Sequence, residues 1–559
     1  MDENRKRKAS EDIEEGIVCP YLDTIQRSLL DFDFEPACSI SMQTGPHIYG
    51  CLVCGKYFRG RGIQTPAYTH SVEESHFVFV HLTNGTFHCL PDDYEIKDTS
   101  LVDIQDALHP KFSPSEIRTI DTHTELSRDL FGRRYLPGFV GLNNLHKTDC
   151  VNAAVQALAH VQPLRDFFLS KSHNESLLSS KKSQASNRLA HHVAQCFGEL
   201  VRKIWSSKRF KSTVDPHMLI QAIATASKKR FKVGVQAEAG ELVAWLLHRL
   251  HVGTGGGRKA GSSIVHKTFQ GKVRVTTREA KRKRLEAKAE EDDRWGSEDE
   301  GATEQEGLKM NDQEVLVEIE ETATDTHFLQ LTLDIPEKPL FRDEDGGLVI
   351  PQEPLVSVLK KFDGVTFSDA LNRSGVAQRK RYQLLKLPDY LILHLARFKD
   401  NRYTKEKNPS IVMFPVKNLD LGEYVHKEKQ SLPTEEQIRG MTVKELMALL
   451  AKHDRTALGV SMLEKKELVD ATVDFFLKSL PDLLSEKYDL VANITHESPA
   501  DVGREGQHDP LQDGHYKCHV QHQATRQWYE IQDLHVQEIM PQQIGLSECY
   551  LLIFRKSGL

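Results

Sequence analysis

The sequence lacks long apolar runs, a strong net charge and a dense cysteine pattern. A membrane-spanning helix needs about 20 apolar residues in a row, and no stretch of the 559 residues approaches this, so we expect a protein without a membrane segment. The formal charge of −7 argues against a surface that is basic overall, as nucleic-acid binding favours. Nine scattered cysteines form no disulfide framework, which is typical of a reducing, intracellular compartment.

What is present suffices for two or more packed domains, because 39% of the residues are hydrophobic and 27% are charged. Residues 1–16 read as a disordered tail in which a basic cluster at 4–8 precedes acidic residues. The cluster is either a nuclear localisation signal or part of a solvated tail. Two stretches differ from their surroundings, a charged one at about 253–325 and a helical one at about 430–482.

Four residues in the first hundred have the spacing of a structural zinc site. Cys51 and Cys54 form a Cys-x2-Cys pair, and His70 with His76 forms a His-x5-His pair after fifteen intervening residues. Two thiolates and two imidazoles make the closed tetrahedral set that zinc prefers. We therefore predict a zinc-binding domain over residues 17–97. The remaining thiols of this domain are expected in its core: Cys19, Cys38 and Cys89.

Residues 141–158, GLNNLHKTDCVNAAVQAL, resemble the cysteine box of the ubiquitin-specific proteases. The apolar spacing after Asp149 predicts a helix whose N-terminus is capped by Thr148 or Asp149. This is where a catalytic thiolate would be stabilised. Against the family pattern, however, Asp149 stands at the nucleophilic cysteine, Lys147 at the oxyanion-stabilising asparagine, and His146 at a glycine. A carboxylate does not replace a thiolate in isopeptide cleavage.

Cys150 follows directly and must be weighed as a displaced nucleophile. One residue along a helix is a rotation of about 100°, so its side chain should face away from the family's nucleophile position. We expect a buried structural thiol.

Three later blocks extend the resemblance. Residues 233–250 are similar to the block that packs beside the catalytic centre, with Gln236 retained, and residues 385–398 are similar to a family strand. Residues 513–554 resemble the histidine box, which implies that His515 is the general-base position and Gln532 the position of the acid or amide that orients it. Glutamine does not stabilise an imidazolium as a carboxylate does, so this site also looks degenerate.

The first domain is in turn similar to the UBP-type zinc finger of the same family. Ser41 and Pro66 stand where that family has further ligands, so the resemblance implies one zinc ion, held by the four residues named above. The implied fold is α+β. A papain-like ubiquitin-specific protease domain with palm, thumb and fingers spans residues 136–559, interrupted by the inserts at 253–325 and 430–482. Residues 98–135 are a polar connector between it and the zinc finger.

Local patterns give three further expectations. The β-rich runs after residue 326 should form an antiparallel sheet. The insert at 253–325 should be a charged loop, and the fingers, with no Cys-x-x-Cys pair after Cys54, should be held by packing alone. Residues 441–480 should form two amphipathic helices, the first with a capping box of Thr442 and Glu445.

Taken together, the motifs resemble the splicing-associated, catalytically degenerate branch of the ubiquitin-specific protease family. The resemblance implies a nuclear, non-catalytic scaffold in pre-mRNA splicing that supports assembly or stability of the spliceosomal tri-snRNP through its proteins. Two alternatives stay open: a deubiquitinating thiol hydrolase that uses a displaced cysteine, and a module that binds ubiquitin or a ubiquitin-like protein without cleaving it. Direct RNA contact through the basic residues 278–288 is also open, although the acidic residues 290–306 would screen them.

Overall fold

The structure is a computed structural model that describes residues 19–170, 185–283, 316–337, 341–342, 348–371, 377–400, 405–426, 435–452, 465–474, 486–498 and 509–558. The tail at 1–16, the acidic run at 290–306 and residues 284–288 of the basic run lie outside these residues. Among the helices that it describes, none combines the length and the apolar character needed to cross a bilayer.

The zinc-finger domain is a five-stranded antiparallel sheet with one helix. The sheet order is β2-β1-β3-β4-β5. The helix begins at Pro66, whose missing N–H is no loss at a first helical position. The three extra thiols are buried as expected: Cys19, Cys38 and Cys89. The elements are β1 Ile48–Cys51, β2 Tyr57–Arg59, α1 Pro66–Glu73, β3 Val78–His81, β4 Phe87–Cys89 and β5 Tyr94–Ile96.

The connector is packed more closely than a polar linker would be. It contains α2 Val102–Leu108, α3 Pro114–Thr119, β6 Ser127–Arg128 and β7 Arg134–Tyr135. Ile104 and Leu108 belong to the same hydrophobic core as the zinc-finger strands. Further along, the Asp121 carboxylate accepts two hydrogen bonds from the buried guanidinium of Arg165, at 2.6 and 2.8 Å. The connector is therefore fixed to both of its neighbours.

Among the described residues the thumb contains six helices, one of which is the helix of the cysteine box. That helix begins at Asp149, as predicted, and packs against strands of the palm. The predicted side-chain cap is wrong: Thr148 is at the N-cap, but its hydroxyl accepts the Leu145 N–H at 2.9 Å instead of a helical N–H. The six are α4 Asp149–Ala159, α5 Gln162–Leu169, α6 Ala185–Trp205, α7 His217–Ala226, α8 Ala239–Gly253 and α9 Ile264–Phe269.

The rest of the domain is mostly strand. The described strands are β8 Gly271–Lys283, β9 Leu316–Phe328, β10 Leu331–Asp334, β11 Phe341–Arg342, β12 Leu348–Val349, β13 Gln352–Pro354, β14 Asp363–Leu371, β15 Ala377–Lys386, β16 Tyr390–Ala396, β17 Phe398–Asp400, β18 Lys405–Lys407, β19 Ile411–Met413, β20 Leu419–Asp420, β21 Lys487–Glu497, β22 His515–Gln521, β23 Trp528–Gln532, β24 His535–Ile539 and β25 Cys549–Lys556. Helices α10 Leu355–Leu359, α14 Pro510–Asp513 and α15 Pro541–Ile544 accompany them.

Two sheets dominate this region. The palm is an eight-stranded sheet with the order β10-β16-β25-β21-β22-β23-β24, in which β20 also pairs with β21, and the fingers are a four-stranded sheet with the order β14-β15-β8-β9. The expected antiparallel arrangement is wrong at two pairs, since β10 runs parallel to β16 and β13 parallel to β19. In both cases a long stretch of chain separates the partners, which lets the second strand return in the same direction.

The insert at 253–325 is not a charged loop at its two ends. Helix α9 and strand β8 occupy the first end, and β9 occupies the second. The fingers are also not held by packing alone, because ion pairs cross the strands: Arg274 to Asp325 at 2.8 Å and Arg278 to Glu321 at 2.9 Å. Opposite charges that face each other on paired strands stabilise this sheet. The charged composition of the segment alone would argue against a sheet.

Within residues 441–480 the structure describes two helices, as predicted: α12 Val443–Lys452 and α13 Lys465–Asp474. A further helix of the same insertion, α11 Glu435–Gly440, precedes them. The predicted capping box is confirmed, since the Thr442 N–H donates to the Glu445 carboxylate at 2.8 Å and the Glu445 N–H donates to the Thr442 hydroxyl at 3.4 Å. The helices share a small hydrophobic core of their own: Ile438, Leu446, Leu450, Leu468, Val469 and Val473.

Candidate functional site

The site is built around the carboxylate of Asp149, at the first turn of α4. This residue is buried, with 4% of its surface exposed. The side-chain amide of Gln236 donates to both of its oxygens, at 2.8 and 2.9 Å, and the backbone N–H of Tyr516 donates at 2.7 Å. We call these contacts the Asp149 bridge. It joins the cysteine box to the block at 233–250 and to the histidine box.

Burial sets the electrostatics of the bridge. Loss of solvent raises the pKa of Asp149 above its usual value, while the hydrogen bonds from Tyr516 and Gln236 act in the opposite direction. The nearby carboxylate of Asp533 adds to the rise. The helix N-terminus and the hydrogen-bond donors favour the charged carboxylate, whereas burial favours the neutral acid. The result is a structural acceptor whose oxygens are engaged, not a group poised to attack a carbonyl.

Lys147 and His146 occupy the loop before the helix with left-handed backbone torsions, φ +53° and φ +80°. The Lys147 amine donates to the carbonyl oxygen of Gln512 at 2.9 Å, and the His146 carbonyl accepts the N–H of Gly234 at 3.0 Å. The side-chain amide of Gln512 also bonds the backbone of Gln236 twice: its oxygen accepts the Gln236 N–H and its nitrogen donates to the Gln236 carbonyl, each at 3.0 Å. Hydrogen bonds therefore connect the loop before α4, the loop before α8 and the residues before β22.

His515 and Gln532 do not form a base and its orienting partner. His515 begins β22 with 44% of its side chain exposed, and its Nε2 lies 3.4 Å from a carboxylate oxygen of Glu497. Its hydrogen bond lowers the pKa of Glu497 to about 2, with help from Lys517. Gln532 lies at the end of β23. In the part of the chain that the structure describes, no hydrogen bond joins His515 to Gln532 or to Asp149.

Asp533 is a site residue whose role the sequence did not indicate. Its carboxylate accepts the side-chain amides of Asn144 at 2.9 Å and Asn152 at 2.8 Å, and its carbonyl accepts the N–H of Leu142 at 2.9 Å. It therefore ties the histidine box to the cysteine box. The available signal was that both asparagines lie in the cysteine box and Asp533 lies in the histidine box, next to Gln532.

Cys150 is enclosed in the hydrophobic core with 1% of its surface exposed, which confirms the expected burial. Burial raises the pKa of its thiol well above the usual value, and the charges of Asp149 and Glu238 raise it further. A reactive cysteine needs access and a lowered pKa. This thiol has neither.

The four predicted zinc ligands lie together in the zinc finger. One ligand atom from each of Cys51, Cys54, His70 and His76 lies within 4.8 Å of the others. The Cys54 sulfur is 3.4 Å and the His76 Nδ1 is 3.1 Å from His70 Nε2, and the His70 ring stacks on Phe58. Two thiolates and two imidazoles with no fifth donor among them fit a structural zinc site.

Comparison with known proteins agrees with this architecture. The profile described as "Ubiquitin carboxyl-terminal hydrolase" matches residues 140–554, and the profile "Zn-finger in ubiquitin-hydrolases and other protein" matches residues 38–101. The chain belongs to the ubiquitin carboxyl-terminal hydrolase family. The Homo sapiens protein "Ubiquitin carboxyl-terminal hydrolase 39" is 39% identical over 540 residues, which cover 96% of this chain and 80% of the human one.

Two fungal relatives belong to the splicing-associated branch. "Probable mRNA-splicing protein ubp10" of Schizosaccharomyces pombe is 33% identical, covering 98% of this chain and 92% of its own. "Pre-mRNA-splicing factor SAD1" of Saccharomyces cerevisiae is 28% identical, covering 70% and 75%. A solved structure described as "Crystal structure of an essential yeast splicing factor" has a TM-score of 0.60 at 21% identity and covers 96% of this chain and all of that one. This last likeness shows the fold, and the predicted family and fold class are confirmed.

Proposed function

We propose that this chain is a non-catalytic scaffold in pre-mRNA splicing, acting in the nucleus through contacts with proteins of the spliceosomal tri-snRNP. The observation that carries the non-catalytic part is the Asp149 bridge, which fills the nucleophile position with a hydrogen-bonded carboxylate. The splicing part is supported by the relatives named for mRNA splicing.

Hydrolysis by the displaced thiol is the less favoured alternative. To attack, Cys150 would have to leave the core and lose its proton where burial and two carboxylates oppose the thiolate. His515 would then have to act as a base although its Nε2 contacts Glu497 and not Gln532, the residue at the orienting position of the family. Meeting these requirements would disrupt the packing around Cys150 and the contact of His515 with Glu497.

Ubiquitin binding without cleavage is disfavoured by the same hydrogen bonds. The resemblance implies that His146 and Lys147 crowd the tail channel of the family. An extended tail that entered beside Lys147 would have to displace its bond to the Gln512 carbonyl and the neighbouring bonds from the Gln512 side chain to the Gln236 backbone. An incoming chain would need to replace all of these partners.

We further propose that the zinc finger holds one structural zinc ion on Cys51, Cys54, His70 and His76. Zinc would contribute folding free energy to the finger, because the ligands come together only in the folded chain. Asp31 and Asp33 of the zinc finger form ion pairs with Lys211 and Lys203 of the thumb. The folded finger therefore also keeps its position against the thumb.

The test is a reaction with ubiquitin that carries a thiol-reactive electrophile at its C-terminus. The zinc-loaded full chain, the Asp149→Cys variant and the Cys150→Ser variant are incubated with it and examined by intact mass. We expect no adduct on the wild type. An adduct that maps to Cys150 and disappears in Cys150→Ser would overturn the non-catalytic assignment. A catalytically active family member serves as the positive control.

A second measurement addresses the scaffold. Tagged wild type and His515→Ala are added to depleted nuclear extract, and tri-snRNP particles are separated by gradient sedimentation. We expect both to co-sediment with the particles equally. Failure of the folded wild type to do so would contradict the scaffold role, whereas a defect confined to His515→Ala would favour the enzyme.

A further inference from the structure

A second cleft, remote from the Asp149 bridge, lies where the zinc finger, the connector and the thumb meet. Its volume is about 780 Å³, within the range of about 300–1,000 Å³ that ligand sites occupy. Phe32, Phe34 and Pro36 of the zinc-finger domain, residues 108–111 at the end of α2, and one face of α6 form its walls. We call it the finger–thumb cleft.

Hydrogen bonds between the three parts hold the walls of this cleft. The Lys203 amine of α6 donates to the Phe32 carbonyl at 2.7 Å and to the Asp33 carboxylate at 2.8 Å. A ring nitrogen of His109 lies 2.9 Å from the Leu82 carbonyl oxygen, which joins the connector to the zinc finger. A ligand would therefore meet a preformed cavity and would not have to order its walls, which favours binding.

The floor of the cleft is apolar. Phe32, Leu82, Leu108, Leu169 and Met218 contribute to it. At its edge Phe34 leaves 46% of its surface exposed, a large apolar side chain that the fold itself does not cover. An exposed aromatic group beside an apolar cavity is the arrangement in which a partner's side chain gains most from burial.

The charged residues of the lining are mostly basic. Lys111, Arg202 and Lys203 line the cleft together with three histidines, and Glu199 is the one carboxylate residue among the lining. Asp33 already neutralises Lys203. Arg202 and Glu199 balance each other in formal charge, and the rings of His109 and His191 are bonded to backbone carbonyls. This leaves the exposed Lys111, which favours a carboxylate of a partner and disfavours a lysine beside it.

We propose that the finger–thumb cleft binds a segment of a partner protein that combines apolar side chains, placed on the floor, with carboxylates near Lys111. The proposal rests on the scaffold function, because it supplies a surface through which a scaffold would hold a partner. Its chemistry is independent of the protease cleft, since none of the Asp149 bridge residues lines it.

The test uses fluorescent peptides and the zinc-loaded full chain. The probe is acetyl-Asp-Glu-Phe-Leu-Asp-Glu-amide, and its twins replace either the acidic residues by lysine or the Phe-Leu pair by Gly-Ser. We expect the probe to bind at least about tenfold more tightly than either twin in fluorescence anisotropy. Phe34→Ala and Lys111→Glu should each weaken it by about fivefold or more.

Matched controls separate the cleft from general surface effects. Phe131→Ala removes another exposed phenylalanine, and Lys97→Glu reverses another exposed lysine, both outside the cleft. We expect unchanged probe binding by these variants. Unchanged zinc content and circular dichroism of all four variants exclude unfolding as the cause of a loss.

Several results would overturn the proposal. These are equal binding of the lysine twin, preferential binding of oligouridine over the probe, displacement of the probe by millimolar phosphate alone, and self-association that Phe34→Ala abolishes. If no peptide binds while the wild type and Phe34→Ala enter tri-snRNP particles equally, the cleft proposal fails and the scaffold function stands. If the probe binds as expected but the wild type enters no particle, the scaffold function fails instead.

Discussion

The backbone N–H of Tyr516 donates a 2.7 Å hydrogen bond to the carboxylate of Asp149, which lies 367 residues earlier in the chain. In a hydrolase of this family the equivalent side chain is the nucleophile and has to stay available to substrate. Here it is satisfied internally by Tyr516 and Gln236. Under the proposed non-catalytic function, the residue at this position serves instead as a contact between the thumb and the palm.

The first prediction concerns the stability that this contact provides. Asp149→Ala would leave the buried Tyr516 N–H and the Gln236 amide without their acceptor, so we expect a loss of about 2–4 kcal/mol in the free energy of unfolding. Asp149→Asn should cost less than about 1 kcal/mol, since Gln236 can turn its amide to accept from the new side chain. Urea titration monitored by tryptophan fluorescence measures both.

The exposed Asp92 of the zinc finger provides the control for these variants, and Asp92→Ala should change the free energy of unfolding by less than about 0.5 kcal/mol. Equal stability of Asp149→Ala and wild type would show that the bridge does not stabilise the fold.

The second prediction is a pH dependence with a definite sign. Because burial raises the pKa of Asp149 above 3.8, the folded chain binds this proton more tightly than the unfolded chain does. The cost of the charged carboxylate is thus fully present above the folded-state pKa and disappears as the pH falls through it towards 3.8. We expect the free energy of unfolding of wild type, minus that of Asp149→Asn, to increase on acidification from about pH 7 to about pH 4.

Glu497 provides a control of opposite sign for this experiment. The hydrogen bond from His515 lowers its pKa to about 2, so its contribution is present above about pH 4.5 and is lost on further acidification. The free energy of unfolding of wild type, minus that of Glu497→Gln, should therefore decrease as the pH falls below 4.5. A common sign for both differences would contradict the assigned shifts.

Local motifs predicted much of this arrangement, and their limits are physical. The cysteine-box helix and the four zinc ligands are set by short spacings that fix which side chains face one another. The partners of Asp149 come from residues 87 and 367 positions away, and nothing in a helical period indicates such contacts. The sequence therefore pointed to Asp149 but not to its hydrogen-bond partners Gln236 and Tyr516.

The fingers show a second limit of sequence reasoning. Composition suggested a charged loop, yet β8 and β9 pair along thirteen residues each. Arg274 and Asp325 occupy opposite positions in this register, as do Arg278 and Glu321. Each residue alone is typical of a solvated loop, and only the register shows that their charges compensate across strands.

The third prediction concerns zinc. Plasma emission spectrometry should find about one zinc ion per full chain, and Cys51→Ser or His76→Ala should abolish it, since each removes a ligand of a closed four-donor site. Cys38→Ser and Cys89→Ser replace thiols of the same domain that lie outside the cluster and should retain the metal. A higher stoichiometry, or loss of zinc in Cys38→Ser, would show that further residues bind zinc.

The last prediction tests the backbone in front of the bridge. His146 has φ +80°, a conformation that costs a residue with a side chain roughly 1 kcal/mol and costs glycine little. We expect His146→Gly to raise the free energy of unfolding by up to about 1 kcal/mol.

Lys147→Gly is the matched variant: its φ of +53° is also left-handed, but it loses the bond to the Gln512 carbonyl. It should therefore bring no gain, and urea titration of the two variants side by side distinguishes relief of backbone strain from loss of the cross-cleft contact. Equal stabilisation by both would mean that the Lys147 bond contributes nothing, and destabilisation by His146→Gly would mean that removal of the imidazole costs more than the backbone strain that the substitution relieves.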